Sequence, residues 1–139
     1  MTRSIHRVLT LHVLGRSDMD SMTGGMLAAH AAHAARHADV AIRPGGQFQD
    51  HVAQYAEWAG QTPQGFGTVV TLDAGTIGDI RDMVRRAAAA GLACAVVNDP
   101  EYPIRDGRVT HVLPVDTCGW VFGLQDEVAD AIGVLPYYP

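Results

Sequence analysis

Three histidines, His30, His33 and His37, stand at i, i+3 and i+7 in an alanine-rich stretch, so they share one face if that stretch is helical. Imidazole titrates near neutrality, and a histidine so placed can move a proton to or from water. The same face resembles a zinc cluster. No cysteine or acid stands at ligand spacing on that helix, so no metal and no cofactor are expected. Gly24 and Gly25 precede the histidines. A strand, a glycine turn and a helix start form a place where backbone amides can hold an anion. The same two glycines equally serve only to let the chain turn tightly. Five of the seven histidines fall in the first third of the chain. Residues 1–48 hold five Arg and three Asp, whereas residues 49–139 hold five Arg and twelve acids. An anionic ligand would approach the N-terminal third more readily, although solvated charge alone would explain the asymmetry equally well.

The elements that must position these groups can be read from periodicity. Residues 7–14 alternate and are rich in β-formers, which predicts a strand. Residues 23–37 predict a helix with Thr23 as its N-cap. Pro44-Gly45-Gly46 breaks the chain, and residues 48–59 predict a second helix with Phe48, Val52, Tyr55 and Ala56 on one stripe. Residues 68–72 predict a short strand. Residues 76–90 predict a third helix, stopped by Gly91. Residues 93–97 are wholly apolar and predict a central strand, with residues 98–103 as the loop beyond it. Asp106-Gly107 signals a tight hairpin turn. Residues 109–113 and 117–122 are two further strand candidates, and residues 126–132 a terminal helix. The pattern predicts an α/β single domain over residues 1–139. Its sheet would be mixed but mostly parallel, with four or five strands and helices on both faces. Ligands in such sheets gather beyond the carboxyl ends of the strands. Residues 16–25 and 98–103 are expected there together.

Composition narrows the classes. The chain has 139 residues, 47% of them hydrophobic, with a net charge of −5 and no lysine at all. That size allows one domain with a real core. The charge argues against indiscriminate nucleic-acid binding. No apolar run reaches the roughly 18 residues of a membrane span. Residues 1–7 carry charge with no apolar segment after them, so no signal peptide is expected and the cytoplasm is the default. Two cysteines make no disulfide framework, and Cys94 reads as a buried thiol.

Four stretches carry a likeness when taken in order. They are Arg16-Ser17-Asp18-Met19; Gly25-Met26-Leu27-Ala28-Ala29-His30-Ala31-Ala32-His33-Ala34; Val69-Val70; and Ala95-Val96-Val97-Asn98-Asp99. Together they resemble the type II peptidyl-tRNA hydrolase family. That family has an Arg-x-Asp-Leu loop after its first strand, then a Gly-Lys-[apolar]-Ala-Ala-Gln-x-x-His-Ala helix start. Ala87 to Leu92 is similar to its Ala-x-x-x-Gly-[Leu/Ile] helix end. Asn98-Asp99-Pro100-Glu101-Tyr102-Pro103 is similar to the Gln-Pro-Glu-x-x-Pro loop of a divergent branch. The resemblance covers most of the chain. Departures are plain. Met26 stands at the motif lysine, and with no lysine anywhere nothing else supplies that ammonium. His30 stands at the motif glutamine. The family's Asp-Ala-Gly-x-Thr-Gln signature survives only as Asp99, with Pro103, Thr110 or Thr117 at or near its threonine.

The resemblance implies an esterase acting on peptidyl- or aminoacyl-tRNA. His33 would be the base, oriented by Asp99 or Asp18, with His30 beside it. The amides at Gly24, Gly25 and Met26 would receive the oxyanion. Arg16 would hold phosphate bidentately. Tyr102 would stack on a base, a contact worth about 1–3 kcal/mol. Thr117 or Thr110 would serve in place of the lost threonine. The expected partner is tRNA or a small nucleotide, not a membrane, and the resemblance admits a homodimer. Two alternatives stay open: an inactive relative that binds an RNA end or nucleotide, and a regulatory interaction protein. For each residue taken singly, packing, capping or solvated charge explains it as well.

Overall fold

β1 (Leu9–Gly15) is buried along its whole length, because its two faces meet two separate apolar clusters. Leu11 and Val13 join one, with Ala34, Ala38, Trp58, Trp120 and Phe122. Leu14 joins the other, with Ile80, Met83, Val121 and Val128. A strand alternates its side chains, so a β1 buried at every position must be covered on both sides. The computed structural model describes residues 8–19 and 24–138. The expected N-cap Thr23 lies outside them.

One face carries α1 (Gly24–Ala41), a 3-10 turn (Gln49–His51) and α2 (Val52–Ala59). The other carries α3 (Ile77–Ala89) and α4 (Gln125–Ile132). Helices on both faces therefore agree with the sequence. The sheet has four strands in the order β2 (Thr68–Asp73), β1, β4 (Val109–Leu124) and β3 (Ala93–Asp106). It is mixed rather than mostly parallel: β1 and β2 pair parallel, while β1–β4 and β4–β3 pair antiparallel. Three sequence expectations need correcting. Residues 93–97 belong to an edge strand, not a central one. Residues 98–103 are a bulged continuation of β3 rather than a loop. Residues 109–113 and 117–122 are parts of one strand.

Local chemistry explains the element ends. The Thr76 hydroxyl accepts from Asp79 N at 3.1 Å, and Asp79 Oδ2 accepts from Thr76 N at 3.0 Å, a reciprocal cap on α3. Gly91, at φ +80°, turns the chain out of that helix. Gly107, at φ +61°, turns β3 into β4. On the far edge, Asp73 N donates to Pro136 O and Tyr138 N to Thr71 O, each at 2.9 Å. The C-terminal segment thus covers the open side of β2. No helix among the described residues is long and apolar enough to cross a membrane.

β1, β2 and β3 all run one way, against β4. Their carboxyl ends share an edge, and the loop after β1 and the bulge of β3 come together there.

Candidate functional site

α1 and the bulged part of β3 face each other across two adjoining clefts. The larger, about 620 Å3, lies between Met26, Ala29, His30 and His33 on the helix and Asp99, Tyr102, Pro103, Ile104 and Arg105 on the strand. The smaller, about 360 Å3, is walled by His33, Arg36 and His37 and by Asn98 and Asp99. His33 and Asp99 line both. The helix residues recur every three or four positions, so one stripe of α1 lines both clefts. Asp99 is set by the irregular pairing of β3: its Oδ1 accepts from Glu101 N at 2.9 Å, pinning the bulge.

His30 is 4% exposed and packs obliquely on Tyr102, with ring centroids 6.2 Å apart. Its Nδ1 is buried and has no hydrogen-bond partner among the described residues. Burial pushes its pKa below the ordinary imidazole value. His33 and Arg16 push the same way, and Asp99 opposes them. The ring is therefore held neutral, with one nitrogen carrying a lone pair. Trp120 Nε1 donates to His37 Nδ1 at 3.0 Å. That bond assigns the neutral ring's proton to Nε2.

Arg16 has a different setting from the one its sequence context predicts. Nε and Nη2 donate to the two oxygens of Asp18 at 2.7 and 3.1 Å, and Nη1 donates to Asp116 O at 2.7 Å. Asp18 also accepts from Ile77 N, at 3.2 Å, in the first turn of α3. The Arg16 guanidinium, first, holds the Asp18 carboxyl below its usual range. Asp116 in turn accepts from Arg81 at 2.7 Å and Asn98 at 2.9 Å, and its carboxyl is likewise lowered, chiefly by Arg81. These groups tie the β1 exit, α3 and the β3 bulge into one frame behind the clefts.

Of the residues singled out from sequence, His30, His33, Asp99, Met26 and Tyr102 meet at the larger cleft. Gly24 and Gly25 open α1, where helix amides point out of the first turn. Arg16 and Asp18 bond to each other. Thr117 is fully buried, its hydroxyl directed to Cys118 Sγ at 3.7 Å, and it lines neither cleft. Sequence reasoning missed Arg36, Asn98 and Arg105. Arg36 continues the histidine stripe at i+3 from His33, a signal that was available. Among the described residues no three His, Cys, Asp or Glu side chains group as a metal site.

No protein-family model matches the chain, and no curated protein matches it. The site's chemistry then rests on its side chains. A cleft with a solvent-exposed imidazole, a neutral buried imidazole and a carboxylate can accept and return a proton. Asp99 on one wall and Arg36 on the other give the site both signs of charge.

Proposed function

We propose that the protein is a peptidyl-tRNA hydrolase-like esterase that cleaves the ester of peptidyl- or aminoacyl-tRNA. The observation that carries this reading is that His33, on α1, and Asp99, on β3, line both clefts. In this mechanism His33 takes a proton from water, and the hydroxide attacks the acyl carbon. Gly25 stands eight residues before His33, about 12 Å along α1, so the amides of the first turn do not reach this oxyanion. Collapse breaks the C–O bond, and His33 returns the proton to the leaving ribose hydroxyl. Asp99, across the cleft, stabilises the imidazolium by its charge, and neutral His30 supplies a second hydrogen-bonding group. The order of motifs resembling type II peptidyl-tRNA hydrolases supports the same chemistry.

A second reading has its own support. Met26 stands where the motif has lysine, and Arg16 is engaged by Asp18 and Asp116. These favour a protein that binds an RNA end or nucleotide without hydrolysing it. Release of peptide from peptidyl-tRNA separates the two. The esterase reading expects turnover by the wild type and a loss of about 100-fold or more in His33→Ala, the scale of a general base. Asp99→Ala should fall less. Wild-type protein that binds tRNA and releases no peptide would decide for the binding reading.

A further inference from the structure

His30 and His33 stand three residues apart on α1, and both line the larger cleft. Side chains so spaced on a helix have Cβ atoms about 5–6 Å apart, so two rings can address one carbonyl group. Their settings are opposite. His33 is exposed, whereas His30 is 4% exposed and packs on the Tyr102 ring. Nδ1 of His30 is buried and meets no hydrogen-bonding group among the described residues. A proton on it would be a buried N–H without an acceptor, the rarer and costlier kind of orphan. The proton of the neutral ring therefore sits on Nε2. That nitrogen bonds to no described residue and is not buried, so its open surface faces the cleft that the ring lines. A second proton would have to go on Nδ1, where nothing accepts from it. His30 thus offers the cleft a fixed N–H donor and no base. Its surroundings agree. Burial first, then His33 and Arg16, disfavour the imidazolium, and Asp99 alone favours it. Tyr102 and Arg105 of β3 and Cys118 of β4 complete the titratable groups around it. His37, on the far side of His33, also presents Nε2–H, because Trp120 holds its Nδ1. That ring is exposed, and a donor in water stabilises a developing charge far less than one in a site that excludes water. Burial selects His30.

Resting on the esterase reading, we propose that His30 Nε2–H is the donor that receives the oxyanion. Water, deprotonated by His33, attacks the acyl carbon. The carbonyl π pair moves onto oxygen, which accepts a hydrogen bond from Nε2–H. The pair returns as the ribose C–O bond breaks, and His30 keeps its proton throughout. Position 30 therefore requires a neutral donor, not a group that titrates.

Two measurements on the full chain test this. Proton–nitrogen NMR spectra of the labelled histidines read the tautomer directly. At pH 6.5, where an ordinary imidazole is half protonated, His30 should remain mainly neutral with its proton on Nε2. The second measurement is single-turnover hydrolysis of peptidyl-tRNA by His30→Gln and His30→Leu. The glutamine amide donates a hydrogen bond but takes no proton, so it should keep turnover within about fivefold of the wild type. Leucine fills the space without a donor and should lose about 100-fold or more, with the Kd for tRNA within about twofold. Leucine also removes the unpaired Nδ1, so that variant should be at least as stable in urea as the wild type. A proton on Nδ1, a ring at least half charged at pH 6.5, equal losses in the two variants, full turnover in His30→Leu, or its unfolding would each overturn the donor role. Any of these with wild-type turnover intact spares the esterase. A wild type that releases no peptide ends the esterase and this role with it.

Discussion

Replacing Arg16 with alanine distinguishes a phosphate ligand from a strut. Its side chain is 14% exposed and that of Asp18 is 28% exposed. The pair therefore lies between a surface ion pair, about 0.2–1 kcal/mol, and a buried one, where losing a partner costs about 3–5 kcal/mol. Weighting toward the surface for the exposure of Asp18 gives about 1 kcal/mol for the bidentate contact. The charged donor to Asp116 O adds about 1 kcal/mol. Arg16→Ala should thus lose about 2 kcal/mol, or about 6 °C in Tm for a domain of 139 residues. Asp18→Ala also removes the acceptor for Ile77 N at the start of α3, worth about 1 kcal/mol. Urea denaturation of the wild type, both single variants and the double variant should give a coupling of about 1 kcal/mol. The coupling is pH-dependent with a definite sign. Arg16 depresses the Asp18 carboxyl in the folded state. The stabilisation is then complete above the ordinary carboxylate value, about 4, and fades as pH falls through the lower folded value. The reasoning fails if Arg16→Ala stays within about 0.5 kcal/mol of the wild type and instead weakens tRNA binding about tenfold.

Three other outcomes are expected. A Cβ at Gly119 would stand 2.8 Å from Ile80 Cγ2 and 3.2 Å from Ala95 O, so Gly119→Ala should cost about 1–3 kcal/mol in thermal denaturation. His12 is buried in β1, and desolvation lowers its pKa from 6.5, so the unfolded chain binds more protons. Stability should fall as pH drops below 6.5, and His12→Gln should flatten the urea midpoint against pH; an unchanged slope would refute the assignment. Burial pushes the thiols of Cys94 and Cys118 up to about 11, so neither should react with an aromatic disulfide reagent at pH 8 until denaturant is added.

Much of the helix side was legible because it depends on near neighbours in sequence. Thr76 and Asp79 cap α3 three residues apart, and the His30–His33 stripe survives directly as a cleft wall. Strand placement depends on distant partners and was read less well. The apolar run at 93–97 reports that both its faces are covered, by α1 and α3, and says nothing about how many strands bond to it. An edge strand under two helices looks the same in sequence as a central one. Pro114 stands between the strand candidates 109–113 and 117–122, which are parts of one β4. It lies in the irregular stretch between the pairs Asp99↔Val115 and Tyr102↔Leu113, where a missing N–H disturbs no regular ladder. Arg16 misled for a related reason: its acceptor at Asp116 is a backbone carbonyl 100 residues away, which no side-chain pattern can announce.

The strand order also constrains how the molecule is made. β4 lies between β1 and β3, yet it follows both in the chain. A nascent chain emerging from the ribosome can pair β1 with β2 early, but β3 has no neighbour until residues 109–124 appear. The wall carrying Asp99 and Tyr102 is therefore among the last parts to assemble, after long-range loop closure. Until then α1 presents its histidine stripe to solvent, and the half-built cleft is where a chaperone or a second nascent chain would find open apolar surface.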